Sequence, residues 1–198
     1  MGRLIPLMLA AGLSGCAALT TIAAIPGALV EGVVGMFQGQ ERSLPVGMRT
    51  ALVATQRGLR VTRLDVDVLE PRKDGYYIAF GNDKLDGELQ LTPQTSMLTT
   101  MDIKVRHGVS REESVEKTLM DEIQGASTHV SKQQSFDFSG YGEIFAKPER
   151  DAKRLGWFRR KAKLDVRKSR QPGWLSINMP NGDKGFLEGK LPASASKH

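Results

Sequence analysis

The stretch VTRLDVDV at residues 61–68 decides how the first half of the chain is organised. Its apolar residues Val61, Leu64, Val66 and Val68 alternate almost strictly with polar residues. Because successive side chains of a strand point to opposite faces, this alternation predicts a strand with one buried face. The neighbouring elements must supply the cover for that face.

A helix is predicted directly before this strand. Apolar residues recur there at roughly helical spacing, and Arg49, Gln56 and Arg57 fall elsewhere on the helical wheel. Gly58 is predicted to end the helix. The apolar residues of the helix are Val46, Met48, Leu52, Val53 and Leu59.

Three more strands are predicted after residue 68. Turns are indicated by Pro, Gly, Asn and Asp residues at 71–75, 81–83 and 92–94. The segments separated by these turns are predicted to be the strands, and they are residues 76–80, 85–91 and 97–105.

A second helix is predicted to begin at Ser110. The Ser110 hydroxyl can accept a hydrogen bond from the Glu113 amide while the Glu113 side chain reaches back, which is a capping box. Helix, antiparallel strands and helix together predict a small α+β domain over residues 44–125, with helices on one face of the sheet. Its second helix presents Val115, Leu119 and Ile123 on one side.

The composition indicates a folded protein with a basic surface. The chain has 198 residues, of which 40% are hydrophobic and 25% charged, and its net charge is +6. A basic protein attracts polyanions. If the chain is exported, these are anionic lipid head groups, acidic glycans or peptidoglycan carboxylates, and not nucleic acid.

The start of the chain has the features of an export signal. Arg3 is followed by an apolar run at residues 4–13 that is too short to span a bilayer, then by Ser14, Gly15 and the only cysteine, Cys16. This arrangement resembles a bacterial lipobox. The resemblance implies that residues 1–15 are a lipoprotein signal peptide and that Cys16 carries acyl chains, which anchor the protein in a membrane.

Two other interpretations of the same start remain open. The leader could be an ordinary secretory signal cut near Ala17 and Ala18, or Cys16 could be a buried structural residue. Residues 16–43 are predicted to be an acylated apolar segment followed by a polar linker. Residues 17–37 either lie on the membrane or pack on protein, and by resemblance to enterobacterial lipoproteins Ala17 after the cysteine implies the outer membrane, facing the periplasm.

The first domain also resembles a known group of lipoproteins. Gly58-Leu59-Arg60-Val61 and the Asp86-Gly87 turn are similar to a pattern in the DUF3568-like family of small bacterial lipoproteins, over roughly residues 44–124. That family has no assigned activity, so the resemblance implies location and fold more than chemistry.

A second domain is predicted after a linker at residues 126–135 that is rich in Ser, Thr and Gln. Short strands and turns with Pro-Gly and Asn-Gly predict a small β-barrel over residues 136–192, followed by a disordered tail at 193–198. A Gly-Trp strand, an Asn-Gly hairpin and a closing Gly-aromatic strand resemble a bacterial SH3 (SH3b) domain. The segment 144–147 stands where that family often has an asparagine-valine-arginine signature.

Aromatic residues of this second domain are the candidate ligand-binding residues. Trp174 and Phe186 are expected mainly in the barrel core, and Trp174 is also retained as a candidate contact. Tyr141, Trp157 and Phe158 lie nearer predicted loops, where an exposed aromatic side chain would mark a surface for peptide or glycan.

A run of basic residues forms the second candidate surface. Such a run is either a solvated face or a patch that attracts anionic lipid or acidic wall polymer, and the sequence does not decide between the two. Its members are Arg159, Arg160, Lys161, Lys163, Arg167, Lys168 and Arg170.

No motif for catalysis, metal binding or a cofactor is present in the sequence. The three histidines, His107, His129 and His198, are far apart, and Asp65 and Asp67 indicate a soluble strand face more than a cation site. The sequence therefore predicts a membrane-anchored envelope lipoprotein without enzymatic activity, whose SH3-like module binds a peptide, peptidoglycan or a partner protein. The rival prediction is a structural or accessory subunit of an envelope secretion or transport assembly.

Overall fold

The computed structural model describes residues 39–190 of the chain. The predicted signal peptide, Cys16, the apolar segment at residues 17–37 and the tail at 193–198 lie outside the described residues.

Two helices and one large antiparallel sheet place the described part in the mixed α+β class, as the sequence predicts. The first part contains both helices, and α1 packs against α2. Its elements are β1 (Gln40–Leu44), α1 (Met48–Val61), β2 (Asp65–Arg72), β3 (Gly75–Gly81), β4 (Asp86–Thr95), β5 (Leu98–His107), β6 (Ser110–Arg111) and α2 (Glu113–Ser127).

The second part contains strands only. They are β7 (Tyr141–Phe145), β8 (Arg154–Arg159), β9 (Val166–Lys168), β10 (Trp174–Asn178) and β11 (Lys184–Glu188). All strands belong to one sheet with the order β1-β5-β4-β3-β2-β8-β7-β11-β10-β9, and β6 pairs with β5 beside this path. The two predicted domains are thus continuous through the pairing of β2 with β8, where Val68 faces Phe158 and Leu69 faces Trp157.

The expected small barrel is not confirmed. The path of paired strands is open among residues 39–190, since it ends at β9 on one side and at β1 on the other. Strand β8 pairs with β7 and with β2 of the first part, and does not close back onto β9.

Several local predictions about where strands, turns and helices begin and end are wrong. The polar segment expected as a linker before residue 44 contains β1, which pairs with β5 from Gln40 opposite Ile103 to Leu44 opposite Thr99. Residues 92–94 are not a turn: Pro93 lies inside β4 beside a register shift, where a strand tolerates proline, and the chain turns at residues 96–97 instead. Helix α2 also extends to Ser127, into the predicted second linker.

Gly58 does not end the first helix. Helix α1 continues to Val61, and a Cβ placed on Gly58 would lie 2.7 Å from Cγ1 and 3.0 Å from the backbone nitrogen of Ile123 in α2. The glycine is therefore a point of close approach between the two helices.

The predicted capping box at Ser110 does not form. Ser110 lies in β6 opposite His107, and the N-cap of α2 is Glu112, which makes no side-chain capping bond. Because Ser110 pairs with His107 in the sheet, it does not cap the helix.

The apolar residues form two clusters of unequal size. The first lies between the helices and β1–β5 and contains nineteen buried residues, among them Leu89, Ile103 and Ile123, all with no exposed surface. The second contains six: Val68, Ile144, Leu175, Ile177, Met179 and Leu187. Strand β2 contributes to both, because Val66 and Leu69 join the first cluster and Val68 joins the second.

Candidate functional site

A groove lies on the second part of the sheet, next to the end of the first core. It has a volume of about 810 Å³ and is open to solvent. Tyr141, Glu143 and Phe145 alternate along β7 on its side, while Ile144 points to the second core. We call this the aromatic groove; its lining residues are Phe138, Tyr141, Gly142, Glu143, Phe145, Arg150, Trp157, Phe158, Arg160 and Glu188.

Aromatic rings form the wall of the aromatic groove at its helix-side end. Phe136 is buried in the first core and lies 4.8 Å from Phe138, measured between ring centroids. Phe138 is 41% exposed and lies 4.7 Å from Trp157. Tyr141 meets Phe136 edge to face at 5.6 Å. Buried Phe136 therefore supports the rings of Phe138 and Tyr141 from the protein interior, while Phe138 stays exposed to solvent. This arrangement suits the stacking of a ligand on the exposed ring.

The loop that carries Phe138 is attached to α1 by Gln56. The Gln56 amide nitrogen donates to the Asp137 carbonyl oxygen and its amide oxygen accepts from the Asp137 N–H, both at 2.9 Å. Hydrogen bonds from Ser139, with one from Arg60, lower the pKa of Asp137 to about 2. These bonds on Asp137 fix the positions of its neighbours Phe136 and Phe138.

Tyr141 is fixed in a similar way. Its hydroxyl donates to the Val66 carbonyl oxygen at 3.0 Å, so the ring lies against the first core. Burial raises the pKa of Tyr141 above its ordinary value. The ring face, and not the hydroxyl, is what Tyr141 offers to a ligand.

Charged side chains of both signs line the aromatic groove, and all of them except Arg160 are ion-paired within the described residues. Arg150 makes two hydrogen bonds to Glu188, at 2.7 and 3.2 Å, and the pair lowers the pKa of Glu188. Arg154 bonds Glu143 at 2.6 Å and lies over the ring of Trp157, 4.5 Å from its centroid. The rim can therefore offer both a donor and an acceptor beside the aromatic wall.

Three of the four aromatic candidates from the sequence, Tyr141, Trp157 and Phe158, meet in this groove, on strands and not in the loops expected for them. The ring of Phe158 covers Gly142, where a Cβ would come within 2.6 Å of it, and packs on the second core. Trp174 does not line the groove but touches Phe145, which does, with ring centroids 5.9 Å apart. Phe138 and Phe145 were not singled out in the sequence; the spacing of Phe136 and Phe138 by two residues was the available indication.

The expectation that Trp174 and Phe186 fill a core is wrong. Both are half-exposed, and neither belongs to the second core, whose members on the same strands are Leu175, Ile177 and Leu187. Since neighbours on a strand point to opposite faces, Trp174 and Phe186 lie on the outer face.

The predicted basic run does not form one patch. Arg159 bonds Asp67 at 2.7 Å and lies 3.5 Å from Asp65, and Lys163 bonds Asp83 at 2.6 Å, so both cations are neutralised by the first part of the chain. Burial raises the pKa of Asp67, and the Arg159 hydrogen bond offsets this only in part. The remaining members, which make no ion pair within residues 39–190, are Arg160, Lys161, Arg167, Lys168 and Arg170.

Two of these free cations line a second groove, at the end of the sheet near β9. Its volume is about 790 Å³, and we call it the basic groove. Its lining residues are Pro148, Lys168, Ser169, Arg170, Gln171, Pro172, Lys184 and Phe186. The sequence prediction missed Lys184, because it lies sixteen residues beyond Lys168 and reaches the groove through the hairpin of β10 and β11.

The described residues hold no group of three or more His, Cys, Asp and Glu side chains placed to bind a metal ion. Between residues 39 and 190, neither helix is long and apolar enough to cross a membrane.

Comparison with protein families finds none that matches this chain, and comparison with curated proteins finds no relative. The resemblances to DUF3568-like lipoproteins and to SH3b domains therefore stay predictions. The site must be interpreted from its own geometry.

Proposed function

We propose that this protein is a lipid-anchored lipoprotein of the cell envelope that binds an extended peptide, in particular a peptidoglycan stem peptide, in the aromatic groove and performs no catalysis. The observation that carries the proposal is the exposed ring of Phe138, tilted by 40° against Trp157, in a groove that is also lined by the Arg150–Glu188 ion pair and by Glu143, the partner of Arg154. Aromatic rings beside placed polar groups are typical of ligand grooves.

The charges of the groove favour a peptide over a polyanion. Arg150 and Arg154 already have carboxylate partners, and Arg160 is the one lining cation without an ion pair among the described residues, so the groove offers a polyanion little net positive charge. A ligand that carries both carboxylates and an ammonium group can exchange partners with both pairs. Stem peptides of peptidoglycan carry both.

The anchor belongs to the same proposal. Acyl chains on Cys16 would hold the groove near the wall and raise the effective concentration of a weak ligand. We place the protein in the outer membrane, facing the periplasm. Growth with labelled palmitate tests the anchor: the native chain should carry label and the Cys16→Ala variant should not. Label on both chains, or on neither, would contradict the anchor.

Retention on purified wall sacculi tests the groove. Phe138→Ala removes the most exposed ring of the wall and is expected to reduce retention about tenfold, since aromatic contacts at the centre of an interface contribute a large share of affinity. Met97→Ala is the matched control, because Met97 is a large apolar side chain that is 68% exposed and lies in the turn after β4. Equal retention of the two variants would show that the aromatic groove is not the binding site.

A further inference from the structure

The basic groove has an unbalanced charge. Lys168, Arg170 and Lys184 line it, none of them makes an ion pair within residues 39–190, and no acidic side chain lies in its wall. In the aromatic groove, by contrast, Arg150 is bound to Glu188, and Arg160 is the one lining cation without an ion pair among the described residues. The basic groove, with three unpaired cations and no acidic side chain in its wall, therefore has the stronger positive field for an external anion.

The floor of the basic groove is an aromatic ring. The ammonium nitrogen of Lys184 lies 5.7 Å from the centroid of Phe186, whose ring is half-exposed on the outer face of β11. Lysine and arginine N–H groups are strong donors to phosphate oxygens, and an aromatic side chain beside them favours an interface with an apolar side. The two features together match the headgroup region of a phospholipid layer better than they match a soluble acidic polymer.

The position in the fold also favours a broad surface as the partner. The groove lies at β9, the last strand of the sheet path, and within residues 39–190 β9 pairs with β10 alone. The loop at residues 169–173, which carries Arg170, is largely exposed. Lys168 and Arg170 lie at this edge, and Lys184 lies on β11, two strands further in along the sheet.

We propose that the basic groove docks on the phosphate headgroups of an anionic phospholipid membrane. This inference rests on the proposed function in one respect, because the acyl anchor is what brings the membrane within reach. Each cation near an anionic surface contributes about 1 kcal/mol, so three of them change affinity well over tenfold.

Vesicle binding by the full chain tests the docking. The starting protein carries Cys16→Ala, so that no acyl chain contributes, and vesicles contain either phosphatidylcholine alone or about one third phosphatidylglycerol. We expect tighter binding to the anionic vesicles. A variant with Lys168→Glu, Arg170→Glu and Lys184→Glu should lose about tenfold or more of that preference.

The matched control carries the same change of charge elsewhere. Lys73→Glu, Lys84→Glu and Lys132→Glu alter three exposed lysines that lie outside both grooves and make no ion pair within residues 39–190. The control should keep the preference for anionic vesicles, apart from a small loss from bulk charge. An equal loss in both triple variants would overturn the proposal, as would equal binding of the starting protein to both kinds of vesicle.

Two further measurements keep the result decisive. If the triple glutamate variant does not fold, Lys168→Gln with Lys184→Gln should still weaken binding to anionic vesicles, and no weakening would refute the docking. If the groove variant loses retention on wall sacculi while its vesicle binding is unchanged, the anion is a wall polymer and the proposal is wrong. If the vesicle tests refute the docking, the palmitate labelling of Cys16 and the sacculus retention of Phe138→Ala keep their meaning. The docking proposal and the proposed function can therefore fail separately.

Discussion

The two ends of the sheet are built in different ways. Helices α1 and α2 cover the sheet at β1–β5 and enclose nineteen buried apolar residues, whereas the second part has a cluster of six, to which β2 contributes Val68. The outer face of the second part keeps Trp174 and Phe186 half-exposed. The part with helices can therefore supply the stability of the fold, while the part without them is free to present rings and cations to a partner.

Buried charge shows the same contrast. Glu116 of α2 has no exposed surface, and it accepts hydrogen bonds from the Val105 N–H at 3.0 Å and from Arg111 at 2.7 and 2.9 Å. Glu70 of β2 is equally hidden, but one of its oxygens is 3.4 Å from Arg72 and the other has no partner among the described residues. The buried carboxylate of the first region, Glu116, is therefore fully hydrogen-bonded. The buried carboxylate at the junction with the second region, Glu70, is not.

The largest expected effect is on the two cores. Ile103→Ala, in the first core, should lower the free energy of unfolding by about 4 kcal/mol, because a fully enclosed site cannot collapse around the cavity. Ile177→Ala, in the second core, should cost about 2 kcal/mol, since six residues near solvent can adjust more easily. Urea unfolding of both variants measures the difference. Equal losses would mean that the two clusters are equally well packed, which would contradict the contrast between a core of nineteen buried residues and one of six.

The same contrast explains what could be predicted from the sequence. Alternation at Leu64, Val66 and Val68 located β2, and alternation in β5 reflects a face buried under the helices. The start of the predicted strand is wrong, because Val61 ends α1 and is 68% exposed. Strand β1, the close approach at Gly58 and the pairing of β2 with β8 depend on partners tens of residues away, which no local pattern contains. The barrel was expected because turns mark where strands end but not which strands pair.

The candidate site was partly predictable for a related reason. Tyr141 and Trp157 were found because aromatic residues are conspicuous in a strand-rich segment. The basic run was assigned as one surface because its members are adjacent in sequence, yet Asp67 and Asp83 neutralise Arg159 and Lys163 from the first part of the chain. Only the folded arrangement separates the paired cations from Lys168, Arg170 and Lys184, which are free within residues 39–190.

The next largest effect concerns Glu116. Burial by itself would raise the pKa of Glu116, but the Arg111 hydrogen bonds and the Val105 N–H hold it below the ordinary value. Glu116→Gln keeps the shape and weakens the bonds to Arg111, so we expect a loss of about 2 kcal/mol at neutral pH. Glu122→Gln, an exposed position on the same helix, is the control and should cause little change.

The pH dependence of the Glu116 effect has a definite sign. A carboxyl group whose pKa is lowered on folding contributes stability above its unfolded pKa and loses it as the pH falls through the folded pKa. The difference between wild type and Glu116→Gln should therefore shrink on acidification below about pH 4. Urea unfolding across the acidic range measures it, and a difference that grew with falling pH would contradict the geometry of this site.

The smallest effect, and the one of opposite sign, is expected at Glu70. Burial raises the pKa of Glu70, and Arg72 together with a backbone hydrogen bond from Asn181 lowers it only in part. The folded state therefore disfavours the charged form, and Glu70→Gln should raise the free energy of unfolding by about 1 kcal/mol at neutral pH, since it removes a buried charge whose second oxygen has no partner. A group whose pKa is raised on folding adds stability below its unfolded pKa and loses it as the pH rises through the folded pKa. The gain from Glu70→Gln should therefore vanish in acid, where wild type is itself protonated, and a variant less stable than wild type at neutral pH would show that Arg72 compensates the charge fully.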